Sequence, residues 1–266
     1  MPRPFQLGIL GKMLAANIQP VSAARPRPPK SLLRAVGAAI ADYAMIRPGD
    51  RVLLGLSGGK DSLSLLHVLL QLQGKSPVRF ELAAATVDPC IDGFDPSFLQ
   101  DYVPALRIPY YYRRQDIVGR ALKTMRGDSF CAYCSRMRRG ILYATAREHG
   151  HNVLALAHHL DDLAETFLMS AFYSGSLRTM KAHYRNDAGD LRIIRPFVYV
   201  RERQTADFAR RTSLPAIMDN CPACFRMPSQ RMQMKALLSE QEKTHRKIFS
   251  SILTAMKPLM LDNIKK

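Results

Sequence analysis

The feature that most constrains this chain is a unit of three consecutive pieces. Arg51-Val52-Leu53-Leu54-Gly55-Leu56 is a short apolar run containing a β-branched residue. Ser57-Gly58-Gly59-Lys60-Asp61-Ser62 follows without a spacer, and residues 61–73 (DSLSLLHVLLQLQ) then place leucines at helical spacing. The unit therefore predicts strand, tight loop, helix. Two glycines let the backbone approach an anion closely, and the N–H groups at the helix start, aided by its dipole, can hold phosphate oxygens. Lys60 adds positive charge, while Ser57 and Ser62 add hydroxyl donors. A nucleoside triphosphate is the natural ligand. The loop is not a Walker A loop, because Leu54 and Asp61 stand where that pattern needs Gly and Ser or Thr. The plainer alternative is a Gly-rich turn with no ligand.

The rest of the chain repeats the alternation. Residues 31–46 predict a helix closed by Arg47-Pro48-Gly49-Asp50. Residues 80–87 predict a second strand, 95–106 a helix, and Pro109-Tyr110-Tyr111-Tyr112 the start of a third strand. A helix over 135–149, a strand over 152–157 and a helix over 161–173 follow. A fifth strand is expected near Leu191–Ile194 and a helix near 202–212. The tail from Ser229 to about Met256 reads as helical. Strands alternating with helices predict an α/β fold: a doubly wound, mainly parallel sheet with added helices and its site at the carboxyl ends of the strands. The expected division is a flexible basic arm over 1–30, the nucleotide-binding domain over 31–240 and a helical tail over 241–266.

Lys and Arg number 39 against 22 Asp and Glu, a net charge of +17. Such an excess favours a polyanionic partner, because each neutralised phosphate releases condensed counterions. No apolar run reaches the 18 or so residues a spanning helix needs, so no membrane partner is expected and the cytoplasm is the expected compartment. Arg25-Pro26-Arg27-Pro28-Pro29-Lys30 reads as an extended linker. The five cysteines are Cys90, Cys131, Cys134, Cys221 and Cys224. An odd count, two CxxC pairs and no secretory signal argue against a disulfide framework.

Two further segments carry chemistry. Residues 158–166 read His-His-Leu-Asp-Asp-Leu-Ala-Glu-Thr at a strand end and helix start. Acids there can complement the helix N-terminus, or Asp161 or Asp162 can orient Mg²⁺ beside phosphates. His158 and His159 are poor joint metal ligands, since adjacent residues at a strand end point apart. The pairs Cys131-x-x-Cys134 and Cys221-x-x-Cys224, separated by 86 residues, can bind zinc, hold an Fe–S cluster or act as redox dithiols. Spacing alone leaves these open.

The string SGGKDS is similar to the PP-loop of the ATP-pyrophosphatase superfamily. From about residue 40 to 240 the chain resembles the tRNA 2-thiocytidine synthetase family. The matching pieces are Gly49-Asp50-Arg51-Val52, the PP-loop, Cys131 through Tyr143 (CAYCSRMRRGILY), AHHLDDLAETF at 157–167, Arg195-Pro196 and the late CPAC. The resemblance implies ATP with Mg²⁺, AMP transfer to an oxygen and release of pyrophosphate. It places Ser57, Gly58, Gly59, Lys60, Asp61, Ser62, Asp88 and His158 at the nucleotide, with Lys60, Asp61 and Asp162 in catalysis. It also implies a [4Fe–4S] cluster on Cys131, Cys134 and Cys221, with one iron site open to sulfide.

The implied substrate is a cytidine at tRNA position 32, thiolated at C2. The implied partners are tRNA and a sulfur donor such as a cysteine desulfurase, with a homodimer as a candidate assembly. Tyr133 and Tyr173 are candidate stacking residues. Arg136, Arg138, Arg139, Arg178, Lys181 and Arg185 are candidate phosphate contacts. Three alternatives stay open: a lysidine-forming synthetase, which the cysteine set disfavours; a 2-thiouridine synthetase; and a zinc-stapled RNA-binding protein without ATP chemistry. The 2-thiouridine group carries zinc-binding CxxC pairs near its termini, and this chain has none before Cys131 or after Cys224.

Overall fold

A computed structural model describes residues 25–91, 93–124, 130–217 and 230–261. The N-terminal arm up to residue 24 lies outside them, as do Cys221 and Cys224. The strands are β1 Asp50–Gly55, β2 Phe80–Asp88, β3 Tyr110–Arg114, β4 Val153–Ala155, β5 His183–Arg185 and β6 Arg192–Ile194. They form one sheet in the order β3-β2-β1-β4-β6-β5, parallel throughout except for β5 against β6. The helices are α1 Lys30–Asp42, α2 Lys60–Lys75, α3 Leu99–Ala105, α4 Ile117–Thr124, α5 Phe130–Glu148, α6 Leu160–Ser174, α7 Glu202–Arg211, α8 Gln230–Thr244 and α9 Ile248–Met256.

The sheet is covered on both faces, and side-chain alternation sorts each strand's residues between two cores. Val52 and Leu54, Leu82 and Ala84, Val153 and Ala155, and Ile194 face the larger core, with α1, α2, α3 and α6 to α9. Leu53, Ala83, Ala85, Val87, Leu154 and Ile193 face the smaller one, covered by α5 and Ile117 of α4. Helix α2 is buried on all sides from Ser62 to Leu70, which explains its near-continuous apolar sequence. From β1 the sheet extends through β2 and β3 on one side and through β4, β6 and the edge strand β5 on the other. The topological switch, and the crevice it creates, therefore lies between the carboxyl ends of β1 and β4.

The α/β expectation holds. The structure adds α4 and the edge strand β5, and it divides the tail helix. β5 has three residues, two of them basic, too short and too polar for a period-two signal. The tail breaks at residues 245–247 into α8 and α9, and Phe249, Met256 and Met260 are buried in the larger core.

Candidate active site

The carboxyl end of β1 delivers the glycine loop to the switch point. Gly58 has φ +85°, a left-handed conformation, and a Cβ there would lie 2.5 Å from Ile217 Cδ1. The Ile217 amide donates to Gly58 O at 2.9 Å, so the loop packs against the segment that follows α7. The loop also holds itself: Ser57 Oγ accepts from the Gly59 amide at 3.3 Å, Ser62 Oγ donates to Gly59 O at 3.0 Å, and the two hydroxyls lie 3.1 Å apart. Gly59 is the N-cap of α2 and supplies no side-chain acceptor to the first turn. Gly58→Ala is expected to weaken ATP binding by roughly 5- to 150-fold, the equivalent of about 1–3 kcal/mol of backbone strain. Titration calorimetry checks this, and an unchanged ATP affinity contradicts it.

Lys60 Nζ sits between Asp61 Oδ2 at 2.9 Å and Glu202 Oε1 at 3.0 Å. Burial opposes its charge, but the two carboxylates overcome that and hold its pKa above the ordinary lysine value. It stays cationic throughout the neutral range. Burial likewise opposes ionisation of Glu202, yet Lys235 and Lys60 bring its pKa down to about 2. Asp61 Oδ1 accepts from the Thr205 hydroxyl, so α7 walls the loop with Glu202 and Thr205.

The carboxyl end of β4 delivers the second motif. His159 is the N-cap of α6: its Nδ1 accepts from the Asp162 amide at 3.3 Å, while Asp162 Oδ2 accepts from the His159 amide at 3.0 Å. Its Nε2 faces Asp61 Oδ2 at 3.9 Å, which joins the two motifs. Asp162 therefore caps the helix and also meets Arg231 of α8 at 3.2 Å. Asp161 accepts from Arg201 Nε at 3.1 Å and the Glu202 amide at 2.8 Å. Buried Glu165, 3.2 Å from Arg231, is pushed up to about 7 by desolvation.

His158 turns the other way. Its Nδ1 accepts from Arg195 Nε at 3.3 Å, and burial among Arg195, Arg231 and Arg139 lowers its pKa to about 3, so it is neutral. Asp88 ends β2, where it accepts from the Cys90 amide at 2.9 Å and the Tyr112 hydroxyl at 2.7 Å.

Cys131 and Cys134 lie one turn apart in α5, the helix on the smaller core, and Cys134 is buried there. Cys90 stands at the mouth of β2 with φ 57°. The structure thus brings together the glycine loop, Asp61, His159 and Asp162, and puts His158 on the side of Arg195. Sequence reasoning did not find Glu202, Thr205 or Arg231. Arg201-x-x-Gln204, a helix-start pattern, was the one local signal near the first two.

The PP-loop domain family matches residues 31–236. The chain is 40% identical over 228 residues to a tRNA-cytidine(32) 2-sulfurtransferase of Geobacter sulfurreducens, covering 85% of this chain and 89% of that protein. It is 42% identical over 231 residues to a protein of the same name from Stenotrophomonas maltophilia, covering 85% and 74%. Among solved structures, a U34-tRNA thiolase NcsA from Methanococcus maripaludis, with its [4Fe–4S] cluster, superposes with a TM-score of 0.71 at 24% identity, over 87% of this chain and 78% of that one. That likeness concerns the fold.

Proposed function

We propose a function from one premise: the chain belongs to the PP-loop domain family, among the tRNA-cytidine(32) 2-sulfurtransferases. The enzyme uses ATP to convert cytidine 32 of tRNA to 2-thiocytidine. The observation that carries this is 40% identity along nearly the whole of a relative so named. The glycine loop at the β1–β4 switch point supports it independently, because that is where a doubly wound sheet binds nucleotides.

In the reaction, the C2 oxygen of the base attacks the α-phosphorus of ATP. The bond to the bridging β-phosphate oxygen breaks, and pyrophosphate leaves. Sulfide then adds at C2, its S–H protons are lost to solvent, and AMP departs with the former C2 oxygen. The loop amides at the start of α2 and the Lys60 ammonium stabilise the charge on the leaving pyrophosphate, as fixed dipoles needing no reorganisation. Asp61 and Glu202 hold Lys60 in place. His159, Asp162 and Asp88 shape the nucleotide side.

Mg²⁺ suits one or two carboxylates plus phosphate oxygens. Asp61, in the loop, and Asp162, at the start of α6, are the carboxylates proposed to orient it. The Cys131-x-x-Cys134 spacing, one turn of α5, suits ligation of an iron–sulfur cluster, and Cys221 would be the third ligand. Such a cluster, when bound, supplies an open iron site for the incoming sulfur.

A cysteine desulfurase is the proposed sulfur source, a homodimer the proposed assembly, and the cytoplasm the proposed compartment. No described helix is long and apolar enough to cross a membrane. Product chromatography with tRNA tests the chemistry: AMP and pyrophosphate are expected, and ADP rejects it.

A further inference from the structure

Arg195, directly after β6, is 5% exposed. Its Nη1 donates to Lys181 O at 2.6 Å and its Nε to His158 Nδ1 at 3.3 Å, while its guanidinium carbon lies 5.4 Å from the centre of the Tyr184 ring. None of the hydrogen bonds or ion pairs of the described residues brings a carboxylate to it. Its neighbours add positive charge: Arg139 of α5 is close enough to oppose its ionisation. His158, neutral, offers no compensation. Tyr184 answers in part. Burial alone would raise its pKa, yet Arg195, Tyr143 and Arg139 hold it below the ordinary phenol value. A buried cation without a counter-ion is expensive, and such charges are normally paired. The contrast inside this molecule is direct, since Arg192, equally buried, is paired with Asp50.

The position adds to the argument. His158 and His159 are consecutive at a strand end, and their rings diverge. His159 faces Asp61 and the glycine loop; His158 faces Arg195 and lies near Arg139 of α5. The cationic centre is therefore separated from the glycine loop by one residue of backbone and lies toward α5, the helix that carries Arg139 and buried Cys134.

We propose that Arg195, with Arg139 and His158, forms an anion subsite that takes a phosphate group beside the reacting base, distinct from the glycine loop. The phosphate comes either from the RNA backbone at the target nucleotide or from the nucleotide's AMP moiety. Naming these two sources rests on the function proposed above; the subsite itself rests on the geometry. The guanidinium supplies a planar pair of donors, and neutral His158 fixes its orientation.

The test compares the full-length protein with Arg195→Gln and Arg195→Lys. Dissociation constants are measured separately for ATP and for an unmodified tRNA transcript, together with thermal midpoints without either. Arg195→Gln is expected to weaken one of the two ligands by about tenfold or more, with no fall in thermal midpoint, since an uncompensated charge has been removed. Loss confined to RNA, with a salt slope shallower by about 0.9 or less, assigns the RNA phosphate. Loss confined to ATP assigns the nucleotide phosphate. A lower midpoint with both affinities within twofold of wild type makes Arg195 a structural residue and overturns the proposal. If Arg195→Gln does not fold, Arg195→Lys decides alone. It keeps the charge and loses the fork, so a severalfold loss for one ligand is expected, and unchanged affinities overturn the proposal. A protein that binds both ligands but thiolates no cytidine refutes the proposed function and leaves this test intact.

Discussion

Replacing Lys60 with alanine is expected to lower the rate of AMP formation by about 10²–10³-fold, the usual consequence of removing one preorganised donor from a developing anion. The ammonium group lies at the first turn of α2, held by Asp61 at 2.9 Å and Glu202 at 3.0 Å, so it is positioned before the nucleotide arrives. The loss should fall mainly on kcat, because the charge it meets grows as pyrophosphate departs. Lys60→Arg should recover little, since a planar fork cannot occupy the space of a point charge between two carboxylates. Steady-state kinetics with chromatographic detection of AMP checks this. A rate within tenfold of wild type would remove Lys60 from the chemistry. Glu202→Gln is a milder companion: Lys60 keeps Asp61 and its charge, so a smaller loss is expected.

Cys131→Ser and Cys134→Ser are each expected to abolish 2-thiocytidine formation and to remove the bound iron from anaerobically prepared protein. Helix α2, which the glycine loop begins, packs in the larger core on the opposite face of the sheet from α5, so ATP binding should survive both substitutions. Cys90→Ser is expected to leave iron content and thiolation unchanged, because Cys90 belongs to neither CxxC pair. Iron and sulfide analysis with the charge-transfer absorbance of the cluster reads the first effect. Stoichiometric zinc in anaerobic wild-type protein, with no iron, would defeat the assignment.

The parts of this fold that the sequence makes legible are those whose causes are local. The strand, glycine loop and helix from residue 50 to 75 lie in one continuous stretch, and each is dictated by its own residues. The AHHLDD segment is equally local, because His159 and Asp162 cap the helix they begin. Glu202 and Thr205 escape such reading. They reach the loop across 142 and 144 residues of chain, and nothing in their own neighbourhood marks them as partners of Lys60 and Asp61. Arg195 is a third kind of case. Its residue type is visible and Arg195-Pro196 belongs to the resemblance, but its missing counter-ion appears only once β5, β6 and α5 surround it. β5 depends on pairing with β6 and on the turn that Asn186 ties to Leu191 and Asp190, a tertiary cause that three polar residues cannot announce.

The central claim is that this enzyme thiolates cytidine 32 of tRNA at C2, and nucleoside mass spectrometry of tRNA from cells with and without the gene tests it most directly. Loss of 2-thiocytidine on deletion, restored by the wild-type gene but not by the Lys60→Ala variant, is the predicted result. Intact 2-thiocytidine in the deletion strain, with a 2-thiouridine or lysidine missing in its place, would contradict the claim.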